Sequence, residues 1–232
     1  MTKEATLALE FANNSEPRCA CVLLLDTSSS MAGAPIDALN AGVQTFKDAV
    51  TRDPVTSLRV DIAVVEFNSA VTVVHPFSAV SDFTPPTLQA GGSTSMGRGI
   101  CQALDLIEAR KDDYKQADLP YFRPWLFLIT DGAATDSIAH ASQRVNAAEA
   151  RQEALFFAVG VEAADMSKLA MVAPPTRPPL KLKGLHFAEL FRWLSKSLEA
   201  ASQEAPDQNP RPSVSDEAPG QTPLPPVGWA EI

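Results

Sequence analysis

The stretch that decides the fold is CACVLLLDTSSS, residues 19–30. An uninterrupted apolar run extends from Cys19 to Leu25, and Asp26 and a group of hydroxyl side chains follow it directly. A strand covered by helices on both faces has such a continuous run, whereas a strand with one solvated face alternates between apolar and polar residues. We therefore predict a buried central strand that ends at Asp26.

Apolar runs and helical patterns alternate along the rest of the chain, which is typical of a parallel α/β sheet. Further strands are predicted at 59–67, 71–77, 125–130, 154–161 and 180–182, and helices at about 36–50, 95–110, 137–151, 165–172 and from 186 onward. The short link 68–70 predicts a hairpin, which makes one edge strand antiparallel. Asp136 and Asp165 are candidate N-caps for the third and fourth helices. The predicted fold is therefore α/β, a doubly wound, mostly parallel six-stranded sheet with one antiparallel edge strand and helices on both faces.

The composition divides the 232 residues into three parts. We expect an N-terminal segment at 1–17, one folded domain at 18–203, and a Pro-rich disordered tail at 204–232. Seven prolines interrupt a polar sequence in that last part, and such a segment cannot bury enough apolar surface to fold alone.

Charge and apolar patterning exclude several classes of protein. The net charge of -9 argues against a nucleic-acid surface, which needs a basic patch. The start of the chain carries acids early and has no secretory apolar region, and no stretch is long and apolar enough for a membrane span. Cys19, Cys21 and Cys101 are an odd number of thiols, which we interpret as reduced core residues. We therefore expect a cytoplasmic monomer that binds neither nucleic acid nor membrane.

Three polar segments follow predicted strands or precede a predicted helix. They are Asp26-Thr27-Ser28-Ser29-Ser30, the loop 91–97 with the sequence GGSTSMG, and Thr130-Asp131-Gly132. In a doubly wound sheet, ligands bind outside the carboxyl ends of the strands, where the strand order reverses. The strands ending at Asp26 and Asp131 are neighbours there if the chain winds outward and then returns. We therefore expect the three segments to meet in one crevice.

The residue types in these segments suit a hard divalent cation. Mg²⁺ prefers oxygen ligands and retains several waters. Asp26 and Asp131 supply two negative charges, and Ser28, Ser30 and Thr94 supply neutral hydroxyls. Two carboxylates neutralise a dication without excess, so it can still attract a third carboxylate, an Asp or Glu of a partner protein. The predicted cofactor is one ion, Mg²⁺ or alternatively Mn²⁺ or Ca²⁺.

This arrangement resembles the metal-ion-dependent adhesion site of von Willebrand factor type A domains, over residues 18–201. Asp26, Ser28 and Ser30 match the D-x-S-x-S of that family, Thr94 matches its loop threonine, and Asp131 matches its second aspartate. The resemblance implies that these five residues bind metal directly or through water. The extra Ser93 departs from the family pattern and is the alternative to Thr94 as the loop ligand.

Within that family, the chain looks most similar to the cytoplasmic bacterial branch called TerY-like, of the tellurium-resistance systems. The similarity rests on GGSTSMG, on LITDG and on the ending LHFAELFRWLSKSLEAAS, residues 185–202. It implies an adaptor that acts near phosphorylation and stress-response proteins.

Two alternatives remain open. The domain could be a metal-independent scaffold subunit that uses only its surface. It could instead be a Mg²⁺-dependent phosphatase of the haloacid dehalogenase kind, which also places an Asp after its first strand. Such a phosphatase needs a second carboxylate two residues later as its general acid, and Ser28 stands at that position. No phosphate-binding G-x-x-x-x-G-K-[ST] loop and no G-x-S-x-G nucleophile motif occurs.

Overall fold

A computed structural model describes residues 11–12, 14–161, 164–203 and 230–231. The strands are β1 Cys19–Asp26, β2 Val60–Phe67, β3 Val71–Ala79, β4 Trp125–Thr130, β5 Leu155–Gly160, β6 Leu180–Leu182 and β7 Ala230–Glu231. The helices are α1 Ala34–Val50, α2 Pro54–Arg59, α3 Met96–Gln116, α4 Ala139–Ala150, α5 Met166–Val172 and α6 Phe187–Ser202. A single 3-10 turn, Ser29–Met31, follows β1.

The sheet has the strand order β3-β2-β1-β4-β5-β6-β7. From β2 to β6 all neighbours are parallel, and β3 is antiparallel to β2. The predicted mostly parallel six-stranded sheet with one antiparallel edge is therefore confirmed. Because β1 pairs with β2 on one side and β4 on the other, the winding direction reverses between β1 and β4.

A short seventh strand extends the opposite edge of the sheet. Ala230 pairs with Leu182 and Glu231 with Lys181, both antiparallel. The disorder predicted for 204–232 does not hold for these two residues, which pair with the outer backbone groups of β6. Unpaired backbone groups at the edge of a sheet readily accept a further strand. Residues 204–229 and 232 of that predicted tail, and 1–10 of the predicted N-terminal segment, lie outside the described residues.

Helices cover both faces of the sheet, as the continuous apolar strands require. The β1 side chains of Cys19, Cys21, Leu23 and Leu25 pack in one core with α1 and α6. Val22 and Leu24 of the same strand pack in a second core with α3, α4 and α5. None of the helices in the described ranges is long and apolar enough to cross a membrane.

Helix α2 was not predicted, because Arg52-Asp53-Pro54 was interpreted only as the end of α1. The Asp53 carboxylate accepts hydrogen bonds from the backbone N–H and the hydroxyl of Thr56, at 2.7 and 2.6 Å. Pro54 occupies the first turn, where its missing N–H has no cost. The same three residues therefore end one helix and begin the next.

The edge strand β3 is irregular in its middle. Its pairing register with β2 shifts on both sides of Val64, which lies opposite His75. Pro76 lies in this irregular stretch, as expected of a proline in a sheet, because proline has no N–H to contribute to a ladder of hydrogen bonds.

Candidate metal centre

The two aspartates predicted to bind metal lie side by side at the carboxyl edge of the sheet. Leu25 of β1 pairs in parallel with Ile129 of β4, so Asp26 and Thr130 end their strands at the same level. Asp131 follows directly. Both carboxylate residues are buried, with 0% of Asp26 and 8% of Asp131 exposed. The topology therefore brings together two residues that are far apart in the sequence.

The serines of the first loop connect these aspartates. Ser30 donates a hydrogen bond from its hydroxyl to Asp131 Oδ1 at 2.7 Å. The hydroxyl oxygens of Ser28 and Ser30 are 3.0 Å apart. The backbone N–H of Ser28 donates to Asp26 Oδ1 at 2.8 Å. This contact turns the Asp26 side chain back over its own loop, which is an ordinary Asx turn that here fixes a carboxylate.

The third polar segment places Gly132 beside side-chain oxygens of the other two segments. A Cβ atom at this position would lie 3.3 Å from Thr94 Oγ1 and 3.6 Å from both Asp26 Oδ2 and Ser30 Oγ. Oxygens from the end of β1, from the turn after β1 and from the loop before α3 therefore lie around one point beside the β4 loop. A set of carboxylate and hydroxyl oxygens around a shared space fits a hard cation.

The structure places Thr94, and not Ser93, beside the other four residues. Thr94 is buried, with 6% of its surface exposed. Ser93 is exposed, and both its N–H and its hydroxyl bond to Ser69 Oγ, at 3.0 and 3.2 Å. The extra serine therefore joins the loop to the β2–β3 turn and leaves the threonine at the oxygen cluster.

The electrostatics of the pair favour a bound cation. Burial raises the pKa of Asp26, and the negative charge of Asp131 raises it further, while hydrogen bonds from Ser28 and Thr130 lower it. No Lys, Arg or His in the described ranges forms an ion pair with either aspartate. Two neighbouring buried carboxylates without a cation repel each other, so positive charge from outside would stabilise them.

The number of carboxylates also limits the kind of metal. In the part of the chain that the structure describes, no group of three or more His, Cys, Asp or Glu residues could hold a metal ion. The candidate centre therefore has two acids and three hydroxyls, a set that suits Mg²⁺, Mn²⁺ or Ca²⁺ better than a soft metal, which prefers thiolate ligands.

Two residues that shape the centre, Thr130 and Gly132, are not among the predicted ligands. The Thr130 hydroxyl donates to Asp26 Oδ2 at 2.5 Å and therefore orients the first aspartate from the neighbouring strand. Gly132 lies beside the oxygens described above. Both residues stand next to Asp131 in the triplet Thr130-Asp131-Gly132. The sequence does not show that Thr130 contacts Asp26, because that contact depends on β1 and β4 being neighbours in the sheet.

The prediction that Asp136 caps the helix after it was wrong. The N-cap of α4 is Ile138, which has no side-chain cap. Asp136 instead accepts hydrogen bonds from the backbone N–H groups of Gly97 and Arg98 in α3, at 3.0 and 2.9 Å. The predicted Asp165 cap is confirmed, because its carboxylate accepts the N–H of Lys168 at 3.1 Å.

The cysteines are free thiols outside the centre. Cys19 and Cys21 are fully buried, and burial raises the pKa of Cys19 to about 12. Cys101 is half-buried and packs against the edge of the second core, and its sulfur lies 3.6 Å from His140 Nδ1. Burial also raises the pKa of Cys101, which opposes formation of a reactive thiolate.

The candidate centre lies within a region of the chain that matches a known protein family. A model of the von Willebrand factor type A domain family matches residues 21–181. This chain belongs to that family. The match includes all of the strands from β2 to β5 and every residue of the candidate centre.

Two solved structures show the same fold at low sequence identity. Proximal thread matrix protein 1 from the mussel byssus, in a form with a zinc-occupied MIDAS motif, is 17% identical, with a TM-score of 0.53 over 80% of this chain and 49% of that one. The pilus adhesin SpaC from Lactobacillus rhamnosus GG is 14% identical, with a TM-score of 0.63 over 80% of this chain and 31% of that one.

The matched region is about half the length of the mussel chain, at 49%, and less than that of the pilus adhesin. A search of curated protein sequences gave no match.

Proposed function

We propose that this type A domain binds one divalent cation through Asp26, Ser28, Ser30, Thr94 and Asp131, and uses it to capture an Asp or Glu side chain of a partner protein. The observation that carries the proposal is the pair of buried carboxylates, which have no cationic partner among the described residues, next to the oxygens of Asp26, Ser30 and Thr94 that meet beside Gly132. Mg²⁺ is the proposed ion, because the ligand set is all oxygen and supplies only two charges.

The protein side chains have distinct tasks in this proposal. The Asp26 carboxylate accepts hydrogen bonds from the Ser28 N–H and the Thr130 hydroxyl, so its position is fixed before an ion binds. Asp131 is held by Ser30, the one exposed member of the set. When bound, the cation would be neutralised by the two aspartates but not over-neutralised, so it could still accept a carboxylate from outside as a further ligand. The exposed Ser30 marks the side from which that carboxylate approaches.

One oriented arginine at the rim of the centre supports an acidic partner. In the loops 27–33, 68–70, 90–98 and 131–138, Arg98 is the only basic residue. Its guanidinium is exposed and is oriented by hydrogen bonds to the Ser69 carbonyl and to Ser95 Oγ, at 2.8 and 2.5 Å. A fixed arginine beside a cation disfavours basic partner surfaces and attracts acidic ones.

We further propose that the domain is a cytoplasmic, monomeric adaptor in a bacterial stress-response or tellurium-resistance system that uses phosphorylation. The support is the similarity of GGSTSMG, LITDG and residues 185–202 to the TerY-like branch. Type A domains are generally interaction modules rather than enzymes, which supports an adaptor over a catalyst.

The site lacks the second acid that a haloacid dehalogenase phosphatase needs. Ser28 occupies that position, and its hydroxyl contacts Ser30. A neutral hydroxyl cannot act as the general acid for a leaving group at neutral pH, so the phosphatase is the weaker hypothesis. A metal-independent scaffold is the remaining alternative, and the next experiment separates it from the proposal.

The test is a Mg²⁺ and Mn²⁺ titration by calorimetry, followed by partner capture from the native cell in Mg²⁺ and in EDTA. We expect metal binding and a set of partners that are lost in EDTA and lost with Asp26→Asn or Asp131→Asn. Asp53→Asn is the matched control, because Asp53 caps α2 and belongs to no candidate site. Partners that bind equally in EDTA would support the scaffold and overturn the proposal.

A further inference from the structure

Hydrogen bonds that form without a metal join two loops of the candidate centre, the loop before α3 and the loop after β4. The N–H of Thr135 donates to the Thr94 carbonyl at 2.9 Å, and the Thr135 hydroxyl bonds to the same carbonyl at 3.0 Å. The N–H of Thr94 lies 3.2 Å from Thr135 Oγ1. The loop that carries Asp131 is therefore attached to the residue that presents the threonine ligand.

Asp136 extends this attachment to the start of α3. The local N-cap of α3, Ser95, makes no capping hydrogen bond, and its hydroxyl instead accepts a bond from the Arg98 guanidinium. The first N–H groups of a helix need acceptors, and a negative charge there is favourable. The carboxylate of Asp136 meets both needs from another loop, accepting from Gly97 and Arg98.

The two loops approach so closely that only glycine fits at position 97. A Cβ atom there would lie 2.3 Å from the Ser137 carbonyl oxygen and 3.2 Å from Asp136 Oδ2. Such a separation is far inside van der Waals contact, so the backbone of the Asp131 loop rests directly on the first turn of α3. The spacing between Thr94 and Asp131 is therefore set by this contact.

We propose that Asp136 is a positioning residue for the metal centre, which fixes Thr94 relative to Asp131 before the cation binds. The inference rests on the proposed function, since it assigns a role toward the same ion. Without the Asp136 carboxylate, repulsion between Asp26 and Asp131 would act on loops joined only through the Thr135–Thr94 hydrogen bonds and the contact at Gly97. Ordering these loops would then be part of the free energy of binding, and the affinity would fall.

The test uses Asp136→Asn, which keeps the shape of the side chain but replaces one of its two acceptor oxygens with a donor. Substitution of a residue that orients a metal ligand typically lowers the metal affinity by about 10–100-fold. We therefore expect Asp136→Asn to bind Mn²⁺ at least tenfold more weakly than the wild type by calorimetry. Asp53→Asn is the control, because it makes the same change at a helix N-terminus away from the centre and should leave the Mn²⁺ affinity unchanged.

A second measurement reads the same contact in metal-free protein. Amide hydrogen exchange at Gly97 and Arg98 should be slow in the wild type and at least tenfold faster in Asp136→Asn. Thr135→Val removes the hydroxyl that bonds to Thr94 and should also weaken Mn²⁺ binding, while keeping the volume of the side chain.

The outcomes separate the two proposals. If the wild type binds no metal, the proposed function is wrong. If the wild type binds Mn²⁺ and Asp136→Asn binds it equally well, the metal centre stands and the positioning role is wrong. Faster exchange with unchanged affinity would also overturn the positioning role, since it would show that Asp136 stabilises α3 alone.

Discussion

Both ends of the sheet bury a carboxylate, but in the described part of the chain only the amino end supplies a cationic partner for it. At the amino end, Asp61 of β2 accepts from Arg18 at 3.3 Å, from Arg110 at 2.7 Å and from the Tyr114 hydroxyl at 2.6 Å. At the carboxyl end, Asp26 receives only neutral donors. The first carboxylate is therefore neutralised by the protein itself, whereas the second has no cationic partner among the described residues.

The largest expected effect compares the same substitution at the two ends. Asp61→Asn leaves two arginines buried without their carboxylate, and breaking such a pair costs about 3–5 kcal/mol. Asp26→Asn removes a charge whose burial is unfavourable, so in EDTA we expect the free energy of unfolding to change by less than about 1 kcal/mol. Urea unfolding of both variants in EDTA measures the difference, and equal losses would mean that Asp26 is also a structural charge.

The next effect is the stabilisation that the cation should give. A ligand that binds only the folded state adds about 2.7 kcal/mol at a concentration 100 times its Kd. We expect Mg²⁺ to raise the melting temperature of the wild type and of Asp53→Asn in a concentration-dependent way, but not that of Asp131→Asn. If millimolar Mg²⁺ and Mn²⁺ do not change the melting temperature of the wild type, the carboxyl end of the sheet does not bind a cation and the distinction between the two ends is wrong.

Gly132→Ala should separate metal binding from folding. The added methyl group would lie at ordinary contact distance from Asp26 and Ser30 and slightly closer to Thr94, so we expect the fold to lose less than about 1 kcal/mol. The methyl group would occupy the space among the oxygens and should abolish the Mg²⁺-dependent shift in melting temperature. Retention of the full shift would place the ion elsewhere.

The smallest effect concerns the exposed hydroxyl. Ser30→Ala removes the hydrogen bond to Asp131, and the net contribution of such a bond to stability is about 0.5–1.5 kcal/mol. We expect weaker Mn²⁺ binding by calorimetry and a stability loss in that range. Ser29→Ala, at the neighbouring exposed position, should leave the Mn²⁺ affinity unchanged; a loss of the same size there would indicate a general effect on the turn.

The sheet and the candidate ligands were predictable because they depend on local patterns and one topological rule. Continuous apolar runs mark β1 and β4 as central strands, and parallel strands share a carboxyl edge. Asp26 and Asp131 end those runs. Their meeting therefore follows once the strand order reverses between them.

The contacts that cross between loops were not predictable in the same way. Asp136 precedes α4 and has the composition of a local cap, yet its carboxylate bonds to α3. Asp61 lies in an apolar strand, and the residues next to it in the sequence do not indicate that Arg18 and Arg110 are its partners. Each case is decided by residues about 40 or more positions apart, which no local periodicity encodes.

The irregular edge at Pro76 has a consequence for how copies of the molecule meet. A second chain laid along β3 would find no N–H at Pro76 and a distorted register beside it, so edge-to-edge growth of the sheet is disfavoured on that side. At the far side the margin is β7, which is only two residues long and offers few backbone groups to another chain. With both margins obstructed, crowding of the protein should not lead to continuous cross-molecular sheets, and contact with other proteins is left to the loops and helices.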